Sequence, residues 1–213
     1  MLPLSEPKWR RRKDDRPAEI IAAAWSVFAA RGLAAARLND IAKEAGLSKG
    51  ALYLYFEPKE DLFAAVVAEA IAPQVGDVIA QIAAMDLSFE RLARMLVARL
   101  AQVAQEQPIG AVMRLVLGES SNFPQLAQVW HERLVAPAIG MVSQAIVRGQ
   151  LQGELRAGDP RHMAICLVGP MLLGVIWQET FTPIGAEPID LAALARQHAD
   201  TLMGGMLIKG DGT

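Results

Sequence analysis

The chain has 213 residues, 53% of them hydrophobic and 21% charged, so it can bury a substantial core and is too apolar to stay disordered. A formal net charge of −2 excludes a uniformly basic nucleic-acid binder, yet the charge is segregated: residues 1–63 carry 11 Lys+Arg against 9 Asp+Glu, and residues 64–213 carry 10 against 14. One cysteine, Cys166, excludes an intrachain disulfide, and its apolar surroundings predict a small buried hydrophobe.

Helix signals dominate. Alanine and leucine are abundant, apolar–polar alternation is missing and no Asn-Gly or Asp-Gly turn separates β-branched runs, which predicts an all-α fold. Residues 1–15 read as an irregular arm whose Lys8-Trp9-Arg10-Arg11-Arg12-Lys13 could track phosphates, enter a minor groove or remain a solvated tail. The arm runs into Asp14 and Asp15 rather than an apolar segment, so no secretory leader is expected. Pro17 suits a first helical turn, and Ile20, Ile21, Ala24, Val27 and Phe28 then follow helical spacing up to Arg31-Gly32, where glycine can take a left-handed cap. Two short helices are predicted at 38–45 and 49–55, and another opens at Pro58 and is interrupted at Pro73. Five more follow, at about 88–106, 109–120, 123–151 (kinked at Pro137), 159–181 and 188–208. The longest uncharged run, 162–178, contains Gly169-Pro170 and falls short of the ~20 residues needed to span a bilayer, so a soluble chain with no membrane partner is expected.

The segment 38–56 carries the chemistry. Leu38, Ile41, Ala42 and Ala45 share one face of a short helix, and Ala42 is small where a second helix must cross closely. Gly46 can end the first helix at positive φ, Leu47 and Leu52 can fill the angle between the two, and Ser48 is a good N-cap for the second. Two helices joined by a tight glycine turn form a helix-turn-helix, whose second helix enters the major groove. Lys49 and the N–H groups near Gly50 would meet phosphate or base edges, Gly50 and Ala51 permit close approach, and Tyr53 and Tyr55 offer hydroxyls and rings. Lys59, at the start of the next helix, is placed to reach the same DNA backbone.

Asp40-Ile41-Ala42-Lys43-Glu44-Ala45-Gly46-Leu47-Ser48-Lys49-Gly50-Ala51-Leu52-Tyr53-Leu54-Tyr55-Phe56-Glu57-Pro58-Lys59-Glu60-Asp61-Leu62 closely resembles the N-terminal signature of the tetracycline-repressor (TetR/AcrR) family, and the resemblance extends over about 16–67. It implies an all-α homodimer with an N-terminal three-helix DNA-binding domain at 16–62 (motif about 37–56) and a larger helical ligand-binding and dimerisation domain at 63–208. It also implies a cytoplasmic repressor that leaves a palindromic double-stranded operator when an effector binds. By position, the implied DNA contacts are Arg37, Asn39, Ser48, Lys49, Gly50, Ala51, Tyr53, Tyr55 and Lys59. One departure stands out: Ala36-Arg37 occupy the place where the family has a Thr or Ser cap, a loss of ~1 kcal/mol that Arg37 could offset by gripping a phosphate.

Beyond residue 68 no catalytic apparatus, metal spacing or cofactor loop is visible; His131, His162 and His198 are isolated. An excess of adaptable apolar side chains predicts a cavity for a small hydrophobic effector, with Met85, Met113, Leu117, Phe123, Trp130, Met141, Met171 and Trp177 as candidate lining. Arg114, Glu119, His131 and Glu132 are candidate polar anchors. The helix at 159–181 is apolar nearly all round, and with 188–208 it is the candidate dimer interface, a four-helix arrangement about a two-fold axis. Such a dimer would span half-sites about 34–36 Å apart. Two competing readings are an enzyme acting on a hydrophobic molecule, which would need convergent titratable groups, and a DNA-binding dimer without an effector, which would have no ligand-sized cavity.

Overall fold

The computed structural model describes residues 16–106 and 109–207; the basic arm, with its expected DNA contact, lies outside the described residues. Helix α1 (Arg16–Ala35) is followed by α2 (Leu38–Glu44), α3 (Lys49–Tyr53) and α4 (Lys59–Ala65). These four close a small core: Ile20, Ala24 and Phe28 of α1 meet Ile41 and Ala42 of α2, Leu52 of α3, and Leu62 and Phe63 of α4. Phe28 and Phe63 meet edge-on at 6.2 Å, a geometry that contributes about 0.5–1.5 kcal/mol beyond area burial.

The expected interruption at Pro73 does not occur. Helix α4 continues through a π-helical turn (Val66–Ile71) straight into α5 (Ala72–Ala83). Proline lacks an N–H and crowds the carbonyl four residues back, here Glu69, which lies inside that wider turn. The same device recurs downstream. Helix α8 (Pro124–Trp130) passes through a second π turn (His131–Val135) into α9 (Ala136–Leu151), so the helical run expected over 123–151 continues through Pro137. The two π turns pack against each other.

The body is completed by α6 (Phe89–Glu106), α7 (Ile109–Glu119), α10 (Pro160–Thr180) and α11 (Leu191–Met206). Helix α10 lies between α9 and α11 and crosses α6 and α7, while α11 packs along α6. Carboxylates fix three helix starts. Asp159 accepts the N–H groups of Arg161 and His162, Asp190 those of Ala192 and Ala193, and Glu154 that of Phe89. The two N–H bonds hold the Asp159 carboxyl below its ordinary pKa. Arg94 bridges α6 to α11 through Asp200 at 2.6 Å, and with Glu90 this pair raises its pKa. Among the described residues no strand forms, only an isolated bridge between Leu155 and Leu207, and no polar or charged side chain is fully buried.

Two further expectations are corrected. Cys166 is exposed, because it falls on the outer side of α10 rather than the side facing its neighbours. Pro170 does not break α10, so Pro160–Ile184, like Arg16–Ala35 and Pro124–Leu151, is long and apolar enough to cross a membrane by length and composition. In α1 the apolar face, including Ile20, Ala24 and Phe28, is already buried in the core described above.

Candidate DNA-reading face and effector cavity

The joint between α2 and α3 has a specific hydrogen-bond pattern. Gly46 takes φ +66°, its N–H donates to the Lys43 carbonyl at 3.1 Å, and the Leu47 N–H reaches back to Ala42 at 2.8 Å. This is a Schellman closure, and it demands a residue tolerant of left-handed backbone at Gly46. Ser48 then caps α3, its Oγ accepting the Ala51 N–H at 3.2 Å. No side chain caps α2: Ala36 is buried, and Arg37 stands at the cap position with its side chain free of any cap bond.

With Leu52 fully buried, the outer side of α3 and its C-cap is set: Lys49, Gly50, Tyr53 and Leu54 are exposed, whereas Ala51 and Tyr55 are half-buried. That spacing of one and four residues is a single helical stripe. The Lys49 ammonium sits 5.5 Å from the Tyr53 ring centre, a cation–π contact that joins two of its members. A Cβ at Gly50 would meet nothing within 4 Å, so the helix backbone is open to close approach there. Arg37, Asn39 and Ser48 are exposed as well. Sequence reasoning missed Leu54, which is 84% exposed; its place four residues after Gly50 was the available signal.

Lys59 is engaged within the protein itself. Its ammonium donates to the Leu33 carbonyl at 2.7 Å and the Ala34 carbonyl at 3.1 Å, and lies 5.5 Å from the centre of the Phe123 ring. The cause is the bend at Gly32 (φ 73°, ψ 170°), which breaks the helical ladder of α1 and leaves carbonyls needing donors. Glu119 is equally displaced from its expected role: its Oε1 accepts the Ala34 N–H at 3.0 Å. Nearby, Arg31 pairs with Asp40 at 2.7 Å, tying α1 to the first turn of α2.

Between α5, α6, α7, α8, α9 and α10 lies a cavity of about 130 Å³ lined by apolar side chains. Of the sequence-predicted lining it brings together Met113, Trp130 and Met171, and Met141 lines a smaller adjoining void of about 20 Å³. The other four are not brought in. Met85 and Leu117 are exposed, and Phe123 supports Lys59. Trp177 donates to the Glu187 carbonyl at 2.9 Å and packs edge-on against Phe181, holding the chain that leads into α11. None of Arg114, Glu119, His131 and Glu132 lines the cavity; its remaining walls are aliphatic, among them Val75, Ile79, Leu96, Leu100, Ile139 and Val142. On its outer side α10 presents Ile165 and Leu173 exposed, with Gly169 and Ile176 half-buried in the same stripe, while Leu172, also exposed, borders the cavity.

Both parts of the chain are similar to known proteins. Residues 20–66 match the family described as "Bacterial regulatory proteins, tetR family", and residues 88–195 match "Tetracyclin repressor-like, C-terminal domain". The fatty acid metabolism regulator protein of Bacillus subtilis (strain 168) is 27% identical over 198 residues, covering 91% of this chain and 98% of that protein. The structure of a tetR-family transcriptional regulator from Mesorhizobium loti MAFF303099 superposes with a TM-score of 0.76 at 26% identity, covering 95% of this chain and all of that one. The transcriptional regulator FadR from Bacillus subtilis, solved in complex with stearoyl-CoA, superposes with a TM-score of 0.72 at 22% identity, covering 88% of this chain and 98% of that one.

Proposed function

Because the chain belongs to the tetR family of bacterial regulatory proteins, we propose that it is a homodimeric repressor that leaves a palindromic operator when a long apolar effector enters the body cavity. The division of labour runs along the chain: a basic arm at 1–15, a DNA-reading head at 16–62 and an effector-binding and dimerising body at 63–208. The observation that carries the reading is the exposed stripe Lys49–Gly50–Tyr53–Leu54 on a short helix whose inner side is locked by Leu52. Lys49 supplies charge for phosphate or guanine, Tyr53 a hydroxyl and ring, Leu54 an apolar contact for a thymine methyl, and Gly50 the room to approach. Arg37, Asn39, Ser48 and Tyr55 flank the stripe and contact the phosphate backbone; Ala51, half-buried, keeps the helix close to the bases. The protein works where the chromosome is, in the cytoplasm, without a membrane partner.

The effector is a molecule with a long hydrocarbon chain, a fatty-acyl thioester being the chemistry in keeping with the apolar lining and the fatty-acid-metabolism relative. A volume of about 130 Å³ is below the ~300 Å³ at which ordinary ligand pockets begin, so occupancy requires the surrounding helices to part. The ligand therefore favours an opened body over the closed one, and that difference in affinity is what displaces the operator. The apolar outer stripe of α10, paired with its counterpart about a two-fold axis, joins the two protomers.

The test is selection of DNA from a random pool, followed by binding titrations with the enriched palindrome. Wild type binds it tightly, Lys49→Ala and Tyr53→Ala lose about 1–3 kcal/mol each, and palmitoyl-CoA releases the wild-type complex. Equal binding by wild type and both variants would sink the assignment of the reading face.

A further inference from the structure

Glu119 and Lys59 grip one dipeptide from two sides, and nothing in the reading above gives that grip a role. We propose that Glu119 is a positioning residue for operator binding: with Lys59 it clamps the backbone of the α1–α2 corner and so fixes how the reading head sits on the body. The inference rests on the proposed DNA-binding function. Signs match on both sides of the clamp. The Lys59 ammonium meets the carbonyls of Leu33 and Ala34, and the Glu119 carboxylate meets the Ala34 N–H. The fit is tight, since a Cβ on Gly32 would come within 3.1 Å of Glu119 Oε1. Among the described residues no ion pair involves Glu119, so the carboxylate is spent on the backbone of the head.

The body side of the clamp is one hydrogen-bonded turn. Phe123, which carries the Lys59 ammonium on its ring, donates its own N–H to the Glu119 carbonyl at 2.9 Å. The helices that this turn joins both reach the cavity, α7 through Met113 and α8 through Trp130. Met113 stands six residues before Glu119, about 9 Å along the helix axis. Parting those helices around an effector moves the turn, and the clamp transmits the movement to a backbone corner rather than to a mobile side chain. In a dimer, the clamp sets the separation and angle of the two reading faces.

The test compares half-site spacing. Operators selected by the wild type are rebuilt with the gap lengthened or shortened by one or two base pairs, each step displacing a half-site by about 3.4 Å along the axis. Wild type should favour one spacing strongly. Glu119→Ala should flatten that preference about tenfold, the effect expected for loss of one charge-assisted bond. Glu119→Gln, whose amide oxygen can still accept the Ala34 N–H, should restore it. A wild-type spacing profile in Glu119→Ala, or a uniform loss of affinity at every spacing, would overturn the proposal, the second outcome marking a merely structural residue. Should Glu119→Ala fail to fold, Lys59→Met, which keeps the aliphatic stem on Phe123, decides by the same criteria. A selection that enriches no sequence with the wild type removes the DNA-binding reading itself, whereas a spacing-blind Glu119→Ala beside a sequence-selective wild type leaves that reading intact.

Discussion

Replacing Ala138 by leucine tests whether the body cavity is the effector site. Ala138 lines the cavity at the start of α9, directly after Pro137, and is half-buried. Leucine adds three carbon groups to a space of about 130 Å³ that no atom fills. At ~0.8 kcal/mol per buried CH₂ the added groups bring up to ~2.4 kcal/mol. Lost rotamer freedom removes about 0.5–1 kcal/mol of that, and imperfect fit of a larger side chain a further part. A net gain of about 1 kcal/mol remains, equivalent to a rise of about 2–4 °C in Tm for a chain of this size. The assay is thermal unfolding at one fixed protomer concentration, with and without palmitoyl-CoA. For wild type, ligand at a hundred times its Kd should add about 2.7 kcal/mol and move Tm by roughly 5–10 °C. For Ala138→Leu the ligand-free Tm should rise and the ligand-induced shift should nearly vanish. A variant that loses stability yet keeps the full ligand shift would refute the reasoning, because the acyl chain would then be bound elsewhere.

Other expectations follow from single features. Leu54→Ala should weaken operator binding a few-fold without altering its dependence on salt, whereas Lys49→Ala should lower the salt slope by about one; titration at several ionic strengths separates the two. Gly46→Ala meets no steric obstacle but forces alanine to φ +66°, so it should cost about 1–2 kcal/mol in thermal unfolding, and Gly46→Asn should cost less. Since folding lowers the Asp159 pKa, the stabilisation it gives is present at neutral pH and is lost as pH falls through the ordinary carboxylate range toward the folded value. Tm measured against pH should therefore decline less steeply on the acid side in Asp159→Asn than in wild type.

The reading head was legible because its determinants are local. The Gly46 turn, the Ser48 cap, the small Ala42 and the inward Leu52 each act within a few residues, so spacing alone predicts their arrangement. Lys59 was not legible, since its partners at Leu33, Ala34 and Phe123 become neighbours only once α1 bends at Gly32 and α7 and α8 dock. The cavity was half legible for a similar reason. Large adaptable side chains marked Met113, Trp130 and Met171, but most of the lining is ordinary aliphatic surface from six helices, such as Ile79, Leu96 and Val142. Nothing distinguishes those residues from core until the helices surround a gap. Pro73 reads as an interruption and Pro137 as a kink because a proline signals lost hydrogen bonding, and the π turns that absorb them have no sequence mark of their own.

The turn at Val66–Ile71 has a consequence for how this architecture tolerates a change of length. A π turn holds one surplus residue in an otherwise regular α-helix, and each residue accounts for about 100° of rotation and 1.5 Å of rise. Removing one amino acid there would convert the stretch to plain α-helix; because the wider turn already takes up the surplus residue instead of passing on its rotation, the helix on either side would keep nearly the same bearing. A one-residue deletion that would twist an ordinary α-helix by about a quarter of a circle is thus tolerated at this point, where head and body share one continuous helix.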